Sequence, residues 1–335
     1  MNEPKLIDPS QTAARLDAAS RIVITTHTRA DGDAVGSMAA LQRVLRQRGK
    51  DVTAYLHETI LDRYAFLQQL ERLSEWGDAN SRDVLAGADL ILVVDTCAVA
   101  QLGEIAAAIK TIPVRRLAID HHVTRDDVVD EAIIDQAAGS CSQIIVRLCD
   151  LAGWPIDAET ATLLFAGMAT DTGWFRFSNA DQEAFAIAAR LVGAGAKPAE
   201  LYERLYLNDC EARLRLIGEV LSSFELHADG RLAVIRITQA MLKRCGATRE
   251  MTEEVINEPQ RMGDVTACLL LVEPEGSDPV RISFRSKRLV NVAAIASQFG
   301  GGGHKRAAGA RVPGTIDSVA AQVIPVMVRA ALHAG

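Results

Sequence analysis

The chain has 335 residues, of which 49% are hydrophobic and 24% are charged, as in ordinary globular proteins. Its net charge of −7 excludes a protein that coats nucleic acid through bulk attraction, and its six scattered cysteines lack the CxxC pairs of a zinc ribbon. No apolar run approaches the roughly 20 residues that span a bilayer, and the N-terminus lacks a signal-peptide pattern, so we expect a cytoplasmic protein with no membrane partner.

The first half of the chain alternates short apolar segments with helical patterns. Strands are predicted at residues 21–27, 51–56, 90–95 and 114–120, and helices at 33–49, 140–152 and 158–169. The sequence LILVVD at 90–95 is apolar throughout, as expected for a parallel strand that is covered on both faces. The alternation predicts an α/β domain with a mostly parallel sheet flanked by helices. In such sheets ligands bind beyond the carboxyl ends of the strands.

The second half begins with a long helical pattern and then returns to alternation. Residues 181–225 are almost wholly helix-patterned and are predicted to connect two domains. Further strands are predicted at residues 232–237, 265–272, 280–285 and 306–312, and helices at 239–243, 292–299 and from about 318. The sequence therefore predicts two α/β domains, residues 1–180 and a smaller one at 226–335, joined by a helical connector.

Acidic and histidine side chains stand where the first and third predicted strands end. His27 closes the first strand, and Asp31 and Asp33 follow it in the sequence HTRADGD. The glycine between the two aspartates lets the backbone reverse, so their carboxylates can reach different metal ions, and Asp33 is predicted to cap the next helix. Asp95 ends the third strand. Taken singly, the structural alternatives are a plain turn and, for Asp95, a cap of a helix at 98–109.

A second set of such residues follows further along the chain. Asp120 ends the strand 114–120, and His121 and His122 come directly after it. An acid and two imidazoles in succession are costly to bury without partners. Asp171 follows an apolar helix, where its charge opposes the helix dipole unless a cation offsets it. A helix C-terminal turn is the structural alternative for Asp171, but together the two sets indicate a shared site.

These side chains predict a metal centre at one edge of a sheet. Carboxylates and imidazoles suit a pair of hard or borderline divalent cations. The four positive charges of two such ions would balance the charges of four aspartates: Asp31, Asp33, Asp95 and Asp171. Two divalent cations together are a common means of cutting a phosphate ester with water.

A glycine run in the second half carries a separate signal. Residues 299–309 read FGGGGHKRAAG, and consecutive glycines leave backbone N–H groups open for anion binding. Lys305 and Arg306, with the upstream residues 285–287, add cationic groups suited to phosphate contact. The GxxxxGK[ST] pattern of a Walker loop is absent. The structural alternative is a flexible hinge with a solvated basic end.

These motifs closely resemble those of the DHH phosphoesterase family, whose defining triplet stands here at residues 120–122. The four family motifs are recognisable as HTRADGDAVGS, VVDTC, IDHH and TDTGWFRFS, and FGGGGHKRAAGA with ISFRSK before it resembles the DHH-associated domain. In length the chain resembles the group of bifunctional oligoribonucleases and phosphoadenosine-phosphate phosphatases. The resemblance implies a catalytic metal-binding domain at 1–180 and a substrate-binding domain at 226–335.

The resemblance also implies which residues bind metal. His27, Asp31 and Asp95 match the ligands of one manganese ion. The ligands of the other match Asp33, Asp95, His121 and Asp171. Asp95 would then bridge two Mn²⁺ ions, for which Mg²⁺ or Co²⁺ are expected substitutes.

Catalytic and substrate-binding residues are implied in the same way. Asp120 matches a residue that contacts the metal ligands but not the metal itself, and His122 matches a residue near the scissile phosphate. The family's substrate-binding face matches these positions: Arg285, Ser286, Gly302, Gly303, His304 and Lys305.

The function predicted on this basis is manganese-dependent hydrolysis of short oligonucleotides and of nucleotide phosphomonoesters such as phosphoadenosine phosphate. Its partners would be short RNA or DNA oligonucleotides, nucleotide phosphates or cyclic dinucleotides. A phosphodiesterase of cyclic or linear dinucleotides uses the same motifs and stays open as an alternative. A nucleotide sensor without activity is disfavoured, because a sensor could lose a ligand without penalty. The oligomeric state also stays open, with a homodimer among the options.

Overall fold

The computed structural model describes residues 3–77, 80–122, 126–287 and 290–333, apart from the side chain of His304. The chain forms two compact units, residues 1–208 and 209–335. Among the described helices, none combines the length and the apolar character needed to cross a bilayer. Both units combine helices with a sheet, so the predicted fold class, two α/β domains with a mostly parallel first sheet, is confirmed.

The described part of the first unit contains seven strands and eight α-helices, besides 3-10 helices at Asp62–Gln69 and Val99–Gln101. The strands are β1 (Lys5–Leu6), β2 (Arg21–Thr25), β3 (Asp51–Leu56), β4 (Ser74–Glu75), β5 (Leu90–Val94), β6 (Arg115–Asp120) and β7 (Glu131–Ile134). The helices are α1 (Pro9–Ala18), α2 (Gly32–Gln47), α3 (Ser81–Gly87), α4 (Ile105–Thr111), α5 (Cys141–Ala152), α6 (Ala158–Asp171), α7 (Gln182–Ala194) and α8 (Pro198–Tyr206).

The sheet of the first unit has the strand order β1-β7-β6-β5-β2-β3-β4, and all of its strand pairs are parallel. The central strand β5 is buried in all five residues, because both faces of the sheet are covered. It lies between β2 and β6. Three neighbouring strands that run in the same direction end at one edge of the sheet, which is the arrangement needed to gather the residues that follow them.

The structure differs from the predicted elements where segments are short. Within the first unit the prediction omitted α1, α3 and the three shortest strands, β1, β4 and β7. The helix considered for residues 98–109 is instead a 3-10 turn at Val99–Gln101 followed by α4, which begins only at Ile105. The 3-10 turn is tied to the segment that follows β2, because Thr28 donates its backbone N–H to the backbone oxygen of Gln101. Asp95 therefore does not cap a helix.

Helices α2 and α6 approach each other closely on one face of the sheet. A Cβ atom added to Gly36 would lie 2.5 Å from the backbone oxygen of Leu163, and one added to Gly167 would lie 2.8 Å from the carboxylate of Asp33. Any larger side chain at either glycine would push the helices apart. Since α2 carries Asp33 and α6 ends at Asp171, these glycines bring the two aspartates near each other.

The first turn of α6 offers a test of local stability. Asp157 caps the helix by accepting a hydrogen bond from the N–H of Thr160, and the Arg43 guanidinium beside it holds the pKa of that carboxyl well below its usual range. We expect Asp157→Ala to lower the free energy of unfolding by about 0.5–2 kcal/mol at pH 7. A carboxyl whose pKa is lowered by folding stabilises the fold fully when the pH is above its ordinary pKa of about 4. This stabilisation is lost progressively as the pH falls from there towards the lowered pKa of the folded state.

Denaturant unfolding of the wild type and the variant at pH 7 and pH 3 checks this expectation, and the difference should shrink at the lower pH. Asp157→Asn is the matched control, because asparagine is an equally good cap without a charge. Equal stability of wild type and Asp157→Ala at pH 7 would contradict it.

The second unit contains a mixed sheet. Its strands are β8 (Glu225–His227), β9 (Leu232–Ile237), β10 (Ala267–Val272), β11 (Val280–Ser286), β12 (Gly302–His304) and β13 (Ala307–Val312). Its helices are α9 (Glu211–Ser223), α10 (Gln239–Cys245), α11 (Val292–Ala296) and α12 (Ile316–Leu332). The strand order is β12-β13-β11-β10-β9-β8, in which β9 and β10 are parallel and the other pairs antiparallel. Of the helices predicted as a connector, α7 and α8 belong to the first unit and α9 to the second.

Candidate metal centre

The ends of β2, β5 and β6 bring one aspartate and two histidines together. His27 Nε2 lies 3.5 Å from Asp95 Oδ2, and His121 Nε2 lies 3.4 Å from Asp95 Oδ1. Each oxygen of the buried Asp95 carboxylate thus faces a different imidazole. This is the position that a carboxylate shared between two ions would need.

Two groups of ligand atoms extend outward from Asp95. The first group joins His27, Asp31 and Asp95, whose ligand atoms lie within 4.8 Å of one another. The second joins Asp33, His121 and Asp171 within the same limit, and here His121 Nε2 is 3.6 Å from Asp171 Oδ2. All six residues predicted as metal ligands therefore meet at one edge of the sheet. The structure also places His122 close to Asp95 and His121.

The two aspartates of the HTRADGD segment have different roles in the fold. Asp31, not Asp33, caps α2, because its carboxylate accepts hydrogen bonds from the N–H groups of Asp33 and Ala34 at 3.1 and 3.0 Å. The expectation that Asp33 is the cap was therefore wrong by two residues. The Asp31 side chain is 51% exposed, whereas Asp33 is completely buried in the first turn of the helix.

Asp33 is held in place by residues that the sequence analysis did not single out. Its carboxylate accepts hydrogen bonds from the N–H groups of Cys141 at 2.6 Å and Ser142 at 3.0 Å, and from the Ser37 hydroxyl at 3.3 Å. Cys141 and Ser142 form the N-terminus of α5, where N–H groups lack partners within the helix and attract an anion. The signal in the sequence was Ser140, a typical N-cap residue, although nothing local linked it to Asp33.

Asp120 orients His122. One oxygen of this buried carboxylate accepts hydrogen bonds from the N–H groups of His121 and His122, and lies 2.8 Å from His122 Nδ1. Burial alone would lower the pKa of His122, but the hydrogen bond to Asp120 and the charge of Asp95 raise it above its usual value. A protonated ring fixed in this way is suited to contact an anion.

The electrostatics of the cluster are those of a cation site. Burial, reinforced by the charge of Asp95, raises the pKa of Asp33 to about 7, and burial raises that of Asp171 well above its usual range. Burial works against protonated histidine, yet the neighbouring aspartates raise the pKa of His27 to about 10 and that of His121 to about 11. Without metal these ligands retain protons that bound cations would have to displace.

The geometry fits divalent ions as well. Two ligand atoms about 2.1 Å from one ion lie roughly 3–3.5 Å apart, close to the spacing that separates Asp95 from the two histidines. Asp95 Oδ1 is buried, and no described donor hydrogen-bonds it. The Asp95 backbone is left-handed, with φ of 61°, a conformation that is uncommon outside glycine, asparagine and aspartate and is often found at functional positions.

The substrate-binding residues predicted in the second unit lie on neighbouring strands. Arg285 of β11 and His304 of β12 both pair with Ala307 of β13, so the two positions share one row across the sheet. Arg285 has no carboxylate within 4.0 Å among the described residues, and burial lowers its pKa. The side chain of His304 lies outside the described part of the chain, so its predicted contact stays a prediction.

The remaining residues predicted to contact substrate differ in how far their side chains or backbone are available to a ligand. Ser286 is buried and donates its hydroxyl hydrogen to the backbone oxygen of Val290 at 2.7 Å, so its side chain already serves the fold. Nothing lies within 4 Å of where a Cβ of Gly302 would stand. Gly303 has φ of 136°, which only glycine adopts readily. Lys305 is exposed in the turn that follows.

Comparison with known sequences places the chain in a family. The model described as "DHH family, N-terminal domain" matches residues 21–168, and that of the DHHA1 domain matches residues 231–331. A protein of Thermus thermophilus named bifunctional oligoribonuclease and PAP phosphatase NrnA is 34% identical over 88% of this chain and 84% of that protein. The chain belongs to the DHH family. The predicted family is thus confirmed. The predicted enzyme class, a hydrolase of phosphoester bonds, is confirmed as well.

Two further relatives of this DHH protein cover almost the same length. A Bacillus subtilis protein that also bears the name bifunctional oligoribonuclease and PAP phosphatase NrnA is 27% identical over 87% of this chain and 89% of its own. The crystal structure of an exopolyphosphatase-related protein from Bacteroides fragilis is 27% identical, with a TM-score of 0.89 over 96% of this chain and 95% of that one. The two-domain architecture is therefore shared along nearly the whole chain.

Proposed function

We propose that this DHH protein is a manganese-dependent phosphoesterase that hydrolyses short oligonucleotides and nucleotide phosphomonoesters such as phosphoadenosine phosphate. The proposal is carried by the meeting of three histidines and four aspartates at one sheet edge, with Asp95 between two imidazoles. The names of the Thermus thermophilus and Bacillus subtilis relatives support the substrate class.

In this proposal the residues form two ligand sets that share Asp95. One set is His27, Asp31 and Asp95. The other is Asp33, Asp95, His121 and Asp171. Two divalent ions bound there would activate water and offset the negative charge that develops on phosphate. Cys141 and Ser142 hold Asp33 in position through the start of α5, so that ligand needs little rearrangement.

His122 and Arg285 are proposed to act on the substrate itself. Asp120 fixes the ring of His122, whose raised pKa favours the charged form that would contact the scissile phosphate. Arg285, with no described acid to pair with, would contact a second phosphate through its planar fork of donors. Gly302 and Lys305 would border that contact.

A panel of substrates tests the proposal on the purified, full-length protein with Mn²⁺. The panel contains oligonucleotides of two to ten residues, phosphoadenosine phosphate, cyclic dinucleotides and pyrophosphate. We expect the shortest oligonucleotides and phosphoadenosine phosphate to be hydrolysed fastest. Preferential cleavage of cyclic dinucleotides would replace the proposal with the dinucleotide phosphodiesterase alternative, and tight nucleotide binding without hydrolysis would support a sensor.

Metal preference provides a second test. After chelation and dialysis, we expect Mn²⁺ to restore activity and Ca²⁺ to restore at most a small fraction of it. The ligand sets include imidazoles, whereas Ca²⁺ strongly favours oxygen and takes six to eight ligands. The measurement is initial rate against metal concentration, with Mg²⁺ and Co²⁺ as intermediate cases. Equal or higher activity with Ca²⁺ would contradict the manganese assignment.

A further inference from the structure

A strained turn follows directly after the metal-ligand candidate Asp171. Gly173, Trp174 and Phe175 have consecutive left-handed φ values of 56°, 60° and 59°. Two of these residues are aromatic and carry the steric penalty of this conformation, which persists only where surrounding contacts impose it. The turn is nevertheless well fixed, because the N–H groups of Arg176 and Phe177 both donate to the backbone oxygen of Thr172.

The turn is attached to the same sheet edge as the metal-ligand candidates. Asn179 donates its side-chain amide hydrogens to the backbone oxygens of Asp171, at 3.3 Å, and Gly139, at 2.9 Å. The residue before Gly139 is Ala138, whose backbone oxygen lies 3.3 Å from His121 Nδ1. A short chain of contacts therefore links the turn to the cluster, in addition to the covalent link through Asp171.

Two of the aromatic rings of the turn pack on the core, and one is exposed. Trp174 packs edge-on against Tyr202, with ring centroids 5.0 Å apart, and Phe175 packs against Phe165 at 5.6 Å. These rings anchor the turn to the core of the first unit. Phe177 differs, because its ring lies over Gly173, where an added Cβ would come within 2.4 Å of the ring, and the residue as a whole stays 52% exposed. An aromatic ring fixed on one side and open on the other is a platform for stacking.

A cation stands beside this ring. Arg176 is exposed and donates from Nε to the backbone oxygen of Gly173 at 2.7 Å. No carboxylate among the described residues lies within 4.0 Å of its guanidinium. In a chain of net charge −7, where about half of the described arginines of this unit have an acidic partner, such a group is available for an anionic ligand.

We propose that Phe177 stacks on a nucleobase of the substrate, while Arg176 beside it contacts a phosphate of the same molecule. This inference rests on the proposed function and assigns a base-binding subsite within the first unit. Stacking on an aromatic side chain tolerates every base, because each base has a π-face. The subsite would thus favour nucleotides over other phosphate esters without selecting one nucleotide.

Kinetics with matched substrates test the inference. The substrates are an adenosine dinucleotide and two abasic counterparts, one in which the base of the 5′ nucleotide and one in which the base of the 3′ nucleotide is replaced by hydrogen. We expect Phe177→Ala to lower kcat/KM for the complete dinucleotide by roughly 5- to 150-fold, mainly through KM, as loss of one stacked base implies. Its rate on one of the two abasic substrates should stay within about twofold of the wild type.

Two variants serve as controls. Phe177→Tyr keeps a stacking ring and should retain most activity on every substrate. Phe185→Ala removes another exposed ring, on a residue of α7 that is 54% accessible and packed against Phe175, and should change the rate on none of the three substrates by more than about twofold. Loss of activity in Phe177→Ala that is equal on the complete and both abasic substrates would overturn the stacking assignment, as would no loss at all.

A binding measurement separates this inference from the proposed function. A dinucleotide containing 2-aminopurine and a phosphorothioate linkage reports stacking by fluorescence quenching on the metal-loaded protein. We expect quenching with the wild type and Phe177→Tyr, and its loss with Phe177→Ala. A wild type that hydrolyses no nucleotide would overturn the proposed function, whereas the quenching would still show whether Phe177 stacks. Unchanged quenching in Phe177→Ala would overturn the inference alone.

Discussion

Replacing Asp95 with alanine is expected to abolish hydrolysis while the fold is retained. The Asp95 carboxylate has one oxygen 3.5 Å from His27 and the other 3.4 Å from His121, so its loss would remove a ligand from both proposed metal sites at once. Loss of an outer partner of a ligand costs about 10–100-fold in activity, and loss of a shared ligand should exceed that range. Initial rates at saturating Mn²⁺ and a metal-binding titration measure the effect, with circular dichroism as the check on folding.

Asp95→Asn is the informative companion to this variant. The Asp95 backbone is left-handed, and alanine tolerates that conformation poorly, whereas asparagine adopts it readily. Asparagine also keeps the size of the side chain and removes only its charge. Both variants should be inactive, but only Asp95→Ala should lose stability through the backbone. Near-wild-type turnover of either purified, metal-saturated variant would refute a shared ligand at this position.

Replacing Arg285 with alanine is expected to weaken cleavage of short oligonucleotides by roughly one to two orders of magnitude. A charge-assisted hydrogen bond contributes about 1.5–3 kcal/mol, and Arg285 has no described carboxylate that would otherwise engage it. Hydrolysis of a small aryl phosphate ester, which offers no second phosphate, should fall much less. The ratio of kcat/KM for the two substrates is the quantity to measure.

Arg285→Lys is the control for charge, since lysine keeps the cation but lacks the planar fork, and it should give an intermediate loss on oligonucleotides. Because Arg285 lies in the middle of the second unit's sheet, thermal unfolding of each variant must accompany the kinetics. If both substrates are affected equally, Arg285 acts on the chemistry or on the fold and not on recognition of a remote phosphate.

Much of the architecture could be predicted because it depends on local patterns. The strands β3 and β9 have the predicted bounds, since short runs of β-branched and apolar residues between turn signals are distinctive. The histidines and aspartates could be located for a related reason. In parallel sheets, residues that follow the strands gather at one edge whatever the strand order, so strand ends alone indicated where a site would form.

Other elements were missed because their signal is weak or distributed. Strand β1 has two residues and β7 has four. Each is held in strand conformation by its neighbour, because β7 pairs with β6 and β1 pairs with β7 at the edge of the sheet. A segment of this length has too few residues to show a period, and its strand conformation is stabilised by its neighbour. The assignment of the helix cap to Asp33 failed differently, because two aspartates separated by one residue offer equivalent caps and only the backbone geometry selects Asp31.

The sequence by itself determined the α/β class, the family and the identity of the residues that gather beyond the strands. Only the tertiary structure decided which of them face one another, because that depends on β5 lying between β2 and β6 and on α2 and α6 meeting at glycines. The N–H groups of α5 that hold Asp33, and the open ring of Phe177 over Gly173, were likewise invisible in the sequence. Periodicity and local motifs report on neighbours along the chain, whereas these contacts join segments that only packing brings together.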